Sequence, residues 1–381
     1  MSQHTMEELR TRQAYPLDLK IKLTEARIRG WINEYGEDGV YVSFSGGKDS
    51  TVLMDIIRNR MGYKEIPAMF VDVPTQYPEL REFAQTWDNV DIIKPKISFM
   101  QVCEKYGFPL ISKEVSEALQ GARKYLPKLK EELGIEDLNS EQMSQSEELN
   151  NLLNERLQRK LGGQNYKLAV MLGTFTKEGT IKAGIDSSEK SLYCQGKWKF
   201  LLDAKFDCSN RCCNIMKKEP AHRYSKETGR KPITAQMAEE SRLRMTLWLK
   251  NGCNGFNMKS PVSNPMSFWT EQDVLKYIYE NHLPICSAYG EVVCEQEGQL
   301  TFENFGKQET YRTTGCNRTG CMLCGFGCHL EKKEEARFVQ LKQTHEKMYN
   351  LLDIIQNNGV TYREAIEWTN EHLKDNQKIP L

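Results

Sequence analysis

Apolar positions in the first hundred or so residues follow two periods. Leu17, Ile21, Leu23, Ile28, Trp31 and Ile32 recur at helical spacing, so residues 16–36 read as an amphipathic helix. Val40 to Phe44 is a β-branched and aromatic run that reads as a buried strand. Two glycines stop it, and an apolar-periodic helix (Val52, Leu53, Ile56, Ile57) starts around Ser50. Ile66 to Asp72 reads as a second strand ending in an acid, Pro74 to Glu79 as a turn, and Leu80 to Trp87 as a helix. A third strand, Val90 to Ile93, and a helix near Phe99 to Tyr106 follow. This alternation predicts an α/β fold with a mostly parallel sheet flanked by helices and joined by right-handed crossovers. Ligands of such sheets sit beyond the carboxyl ends of the strands, where Ser45 and Asp72 both fall.

The pattern then changes. From Lys113 to about Gly163 the chain is charged, with Leu and Tyr at helical spacing, and reads as a helical insertion with a solvated outer face. A lid or a partner-receiving surface is the sharper alternative. Leu168 to Trp198, rich in Gly and Lys, reads as irregular connections and short strands. Near the end, Phe338, Leu341, Met348, Leu351, Leu352 and Ile355 predict a helix over Glu331 to Ile355. Another opens at Thr361 with Glu364 as its capping-box partner and carries Ala365, Ile366 and Trp368. This helical pair is expected to pack on the α/β sheet domain or on a second subunit. The resulting segmentation is 1–112, 113–165, 166–290, 291–330 and 331–381.

Composition adds bounds. A chain of 381 residues suggests two domains, or one large domain with appendages. Formal charge is zero, so no global basic footprint argues for nucleic acid, although a local basic face stays open. No apolar stretch is long enough for a signal peptide or membrane span, which points to a cytoplasmic protein without a membrane partner. In that compartment thiols stay reduced, so the 12 cysteines argue against a disulfide framework.

Two stretches carry chemistry. In Ser43-Phe44-Ser45-Gly46-Gly47-Lys48-Asp49-Ser50-Thr51, strand, glycine turn and helix start together make an anion site. Lys48 adds a point charge and Ser45, Ser50 and Thr51 offer hydroxyls, so the expected ligand is a phosphate chain. A Walker loop is excluded, because Val42 stands where its first glycine is required and Asp49 follows the lysine. The second stretch is split between Cys208-Ser209-Asn210-Arg211-Cys212-Cys213 and Cys316-Asn317-Arg318-Thr319-Gly320-Cys321-Met322-Leu323-Cys324-Gly325-Phe326-Gly327-Cys328. Four thiolates from these blocks could hold zinc or an iron–sulfur cluster. Adjacent Cys212 and Cys213 make a poor zinc knuckle and suit the larger cluster better. Cys103 reads as core and His329 as structural.

Ser45-Gly46-Gly47-Lys48-Asp49-Ser50 resembles the pyrophosphate loop of the ATP pyrophosphatases, which cleave ATP to AMP and pyrophosphate. The Cys-Cys pair followed by Cys-x-x-Cys resembles the [4Fe-4S] ligand pattern of the adenosine phosphosulfate reductases. Pro232 to Arg244 resembles a strand and Arg-Glu-x-Ser-x-x-Arg element of the same superfamily, with Ala238 in place of the first arginine. The helix and aromatic loop of that superfamily are matched by Ser263 to Tyr289, with Thr270 and Asp273 as a capping pair. Over residues 38–112 and 198–330 the chain thus resembles the phosphoadenosine phosphosulfate reductase-like family, of adenine nucleotide alpha-hydrolase (Rossmann-like) fold.

The resemblance implies an ATP pyrophosphatase that adenylylates an acceptor for sulfur transfer. ATP would lie on Ser43, Ser45, Gly46, Gly47, Lys48, Asp49, Ser50 and Thr51, with Asp72 at the ribose or adenine and Ser241 at the second substrate. Lys48, Asp49, Ser50 and Arg244 would carry the chemistry, Asp49 orienting Mg2+ or the attacking group. Cys212, Cys213, Cys321 and Cys324 would hold the [4Fe-4S] cluster, with Cys316 as the replacement ligand. The implied partners are a sulfur acceptor (small molecule, tRNA or DNA), a sulfur-donor protein and a second copy of the chain. Two other readings remain: a phosphosulfate reductase and a non-catalytic ATP sensor. Against the reductase, the loop is complete, and no cysteine follows Cys328.

Overall fold

The computed structural model describes residues 4–134, 138–158, 163–296 and 309–381. The stretches 135–137, 159–162 and 297–308, parts of the expected helical insertion and cysteine-rich segment, lie outside the described residues. The chain divides into two compact units, residues 1–96 with 216–321 and residues 97–215 with 322–381.

The first unit is built on a sheet of β1 (Val40–Phe44), β2 (Ala68–Val71), β3 (Val90–Ile93), β4 (Lys231–Ile233), β5 (Asn254–Gly255) and β6 (Val262–Ser263). Their spatial order is β3-β2-β1-β4-β6-β5. Every neighbouring pair is parallel except β5 with β6. The expected mostly parallel sheet is therefore present, and β1, buried at its centre, carries the phosphate-loop sequence on its carboxyl end. Val40, Val42 and Phe44 of β1 join Trp31, Leu53, Ile57, Phe70 and Trp269 in one apolar core. Residues 17–35 form the leading amphipathic helix, with Ile21, Ile28, Trp31 and Ile32 buried.

The helix after the loop runs Lys48–Asp55, one half-turn earlier than apolar periodicity predicts. Its first residues are polar, so the pattern of core positions does not register them. Extended Gly47 is the N-cap, and its carbonyl accepts from the hydroxyls of Ser50 (2.9 Å) and Thr51 (3.0 Å). The helix continues as a π-turn, Ile56–Arg60.

In the second unit, Lys113–Leu133 and Gly163–Leu172 pack side by side. Gly163–Leu172 replaces the start of the irregular stretch expected from Leu168 onward, because Leu168, Ala169, Met171 and Leu172 are buried on a helical face. The helical stretch shares this unit with residues 97–112, with 166–215 and with the C-terminal region, a partition different from the segmentation at 112, 165, 290 and 330. The helix expected over Glu331 to Ile355 is broken into Lys333–Glu335, Arg337–Thr344, Glu346–Tyr349 and Asn350–Asp353. The last helix, Tyr362–Glu371, has the anticipated Thr361/Glu364 capping box. Among the described residues no helix is long and apolar enough to cross a membrane.

Candidate active site

The end of β1 turns sharply. Gly46 has φ +71°, and a Cβ there would meet the Leu80 carbonyl at 3.0 Å, so both conformation and space require glycine. Ser45 spans the turn: its amide donates to Ser50 Oγ at 3.2 Å, and the two hydroxyls lie 3.0 Å apart. This fold-back leaves the first-turn amides of the Lys48–Asp55 helix, which have no intrahelical acceptors, at the mouth of a cleft.

The cleft has a volume of about 390 Å³. Loop residues Ser45, Gly47, Lys48 and Asp49 form one wall. Glu239, Glu240 and Arg244 come from the segment after β4, and Glu271 from the start of the Glu271–Glu280 helix. Tyr289 and Arg318 to Gly320 complete it. Backbone bonds from Gly315 to Tyr289 (2.8 Å) and from Cys316 to Ala288 (3.0 Å) bring the last two segments together. The Tyr289 hydroxyl then meets Thr319 Oγ1 at 2.6 Å.

Charge is concentrated here. Lys48 is buried, and its ammonium donates to the Glu271 carboxylate and to the Asn317 carbonyl, each at 2.8 Å. Asp49 Oδ1 is buried with no hydrogen-bond partner. Burial pushes the Asp49 carboxyl above the usual range; Glu271 adds to this, while Lys48, Arg318 and Arg244 oppose it. Burial likewise lowers Arg244, against the attraction of Asp49. Its guanidinium pairs with Glu240. Glu239 is also raised by burial, and burial takes the Tyr289 phenol up to about 12. The site thus combines three cations (Lys48, Arg244 and Arg318), the carboxyl groups of Asp49, Glu239, Glu240 and Glu271, and a helix start whose Lys48 amide meets the Tyr289 hydroxyl, an arrangement that can take a polyanion together with a divalent cation.

Lys48, Asp49 and Arg244 are brought together in this cleft as the sequence suggests, with Ser45 and Gly47 beside them. Ser50 and Thr51 are buried and brace the turn through the Gly47 carbonyl. Ser43 lies within β1, opposite Met69. Asp72 stands beyond β2, 3.5 Å from Arg81, and does not line the cleft. Ser241 caps the Arg242–Asn251 helix by accepting from the Arg244 amide at 3.2 Å, and is likewise outside the lining. Sequence reasoning missed Glu271, Arg318 and Thr319. Glu271 directly follows the legible cap Thr270, and Arg318 was hidden in a segment read only for its cysteines.

The cysteines fall into groups. Cys316 lies beside Cys286 and Lys48 in the first unit, with its thiol raised to about 11 chiefly by burial. Cys321 is the last residue of that unit, whereas Cys212, Cys213 and Cys324 belong to the second. In the second unit, Tyr362 is buried, and its phenol is pushed well above its ordinary range, first by burial and then by the thiols of Cys324, Cys103, Cys328 and Cys212. Its hydroxyl accepts from the Gly325 amide at 3.1 Å and faces the carbonyls of Pro109 and Leu323, each at 3.2 Å. Among the described residues, no group of three or more His, Cys, Asp or Glu side chains is arranged to hold a metal ion.

Comparison with known proteins adds the following. A family model, the phosphoadenosine phosphosulfate reductase domain, matches residues 39–113 and 164–325. Among solved structures, the chain is similar to phosphoadenylyl-sulfate (PAPS) reductase from Candida auris in its phosphate complex, with 16% identity and a TM-score of 0.32. That alignment covers 71% of this chain and 88% of the other. Comparison with curated proteins finds no match. With a match spanning more than half of its length, including the strands of the sheet, the chain belongs to the phosphoadenosine phosphosulfate reductase domain family of nucleotide-binding proteins.

Proposed function

We propose that this protein is an ATP pyrophosphatase that adenylylates an acceptor for sulfur transfer. The observation that carries the reading is the intact Ser45-to-Ser50 loop, whose Lys48 and Asp49 line one cleft, with one Asp49 oxygen buried and without a hydrogen-bond partner. The β- and γ-phosphates lie on the loop amides and Lys48, which leaves Glu271 as the phosphate chain takes its place. Arg244 and Arg318 face the α-phosphate and the second substrate. An acceptor oxygen attacks the α-phosphorus, the bond to the bridging oxygen breaks, and pyrophosphate departs with the negative charge that Lys48 and the helix-start amides stabilise. Asp49 fits magnesium, because its orphaned, desolvated oxygen is the kind of ligand that ion takes. When bound, magnesium neutralises the phosphate chain.

The [4Fe-4S] ligand set Cys212, Cys213, Cys321 and Cys324 rests on the sequence pattern alone. Among the described residues no three such side chains are arranged to hold a metal ion, so the arrangement does not fit the cluster and no step is routed through it. The Gly325 amide and Tyr362 keep the Cys324 loop in place.

The test is product analysis with α-labelled ATP, magnesium, and tRNA or DNA as candidate acceptors. Label transferred to the acceptor as AMP, together with pyrophosphate, is the expected result, with turnover reduced about 100-fold or more in Lys48→Ala. A second reading, reduction of a phosphosulfate, follows the name of the matched family. Sulfite release from a phosphosulfate with a thiol donor, and no pyrophosphate from ATP, would establish that reading instead.

A further inference from the structure

The second unit holds a separate pocket of about 410 Å³ at the start of the Lys113–Leu133 helix. Two backbone segments form its floor. Leu110 and Ile111 pair in parallel with Gly325 and Phe326, and the Gly327 amide donates to the Ile111 carbonyl at 2.9 Å. Ile111 is held at φ +65°, a conformation a β-branched residue rarely adopts. This turn aims the helix start into the pocket. Ser112 is the N-cap and takes the Val115 amide at 3.1 Å. The amides of Lys113 and Glu114 remain as helix-start donors, and both residues line the pocket.

A second, independent feature points to a ligand. His329 lines the same pocket, is only 9% exposed, and has its Nδ1 buried without a hydrogen-bond partner. Leaving such a nitrogen unsatisfied costs about 1–3 kcal/mol, so it calls for an explanation. The Trp198 ring packs edge-on against the imidazole, with centroids 5.0 Å apart and planes at 80°, which fixes the orientation of the histidine. Lys197 lies over Trp198 at 4.7 Å; burial first and then Lys197 lower the His329 imidazole, with Glu331 opposing them. Helix dipole, two amides and the lysines at 113 and 197 favour negative charge, with the Glu114 carboxylate in the lining opposing them, and the imidazole offers a neutral hydrogen-bonding group. Trp198, Phe326, Val115 and Ile111 supply apolar walls, and Leu330 is 78% exposed at the rim. The volume exceeds that of a bare oxyanion.

We propose that this pocket binds a small molecule through a terminal phosphate, sulfate or sulfonate, with the anion on the Lys113 and Glu114 amides and His329 and the organic body against Trp198 and Phe326. The site lies wholly within the second unit and does not depend on the chemistry of the phosphate-loop cleft.

Histidine-selective 15N labelling of the full chain tests this, since there are only 6 histidines to resolve. His329→Gln assigns the ring signals of His329, and unchanged signals from the remaining histidines show that the variant folds. Inorganic phosphate, inorganic sulfate and phenyl phosphate are then titrated into the wild type. The His329 signals should shift saturably, and Lys113→Glu, an exposed change that sets a carboxylate at the helix start, should weaken binding about tenfold or more. Tighter binding of phenyl phosphate than of inorganic phosphate identifies an organic ester as the ligand class, and equal binding a free oxyanion. His329 signals that stay still with all three probes, or that respond equally in Lys113→Glu, would overturn the proposal.

Discussion

Asp49 concentrates the tension of the active site, because its carboxyl is desolvated while Lys48, the adjacent cation, is held by Glu271 and Asn317. The raised carboxyl means that the folded protein holds the proton more tightly than the unfolded chain. Stability therefore falls as pH rises from the ordinary aspartate value of 3.8 through the raised one, and the full cost is borne only above the raised value. Asp49→Asn should raise the melting temperature by a few degrees at the alkaline end of that interval, and the gain should vanish once pH drops below the ordinary aspartate range. Thermal unfolding across that interval checks the sign; a gain independent of pH would show that charge burial is not its source. The same variant should lose magnesium-dependent turnover, since stability and function pull on this residue in opposite directions.

At the scale of elements, the Glu271–Glu280 helix braces the loop. Glu271 holds Lys48, Asp273 takes buried Lys20 at 2.5 Å, and the Tyr277 hydroxyl donates to Asp55 at 2.6 Å on the helix that the loop begins. Tyr277→Phe removes the donor from a buried carboxylate and should destabilise the protein by about 1–3 kcal/mol, as read from chemical denaturation. Affinity for ATP should fall alongside, because the Lys48–Asp55 helix loses a fixed neighbour. These elements were unequally legible in the sequence. β3 and the Phe99–Tyr106 helix match their expected bounds because apolar period and turn residues agree there. The start at Lys48 and the helix Gly163–Leu172 were obscured, the first because polar residues open it, the second because glycine and lysine mask its buried face. Within the site, loop residues were legible because their spacing is local. Glu271 and Arg318 were not, because tertiary folding alone carries them to Lys48 and Asp49.

For the whole molecule, each compact unit is assembled from two separate stretches of chain. Linear segmentation does not register this, since shared burial rather than sequence adjacency defines a unit. The division assigns the nucleotide cleft to one unit and the Tyr362 thiol group with the His329 pocket to the other. The account turns on the loop of the first unit recognising the terminal phosphates of ATP, a property that needs no acceptor to measure. Calorimetric titration of the full chain with ATP and with AMP, both with magnesium, reads it directly. ATP should bind about tenfold or more tightly than AMP, and Lys48→Ala should erase the difference. Equal affinity for the two nucleotides, or a preference that survives Lys48→Ala, would contradict it.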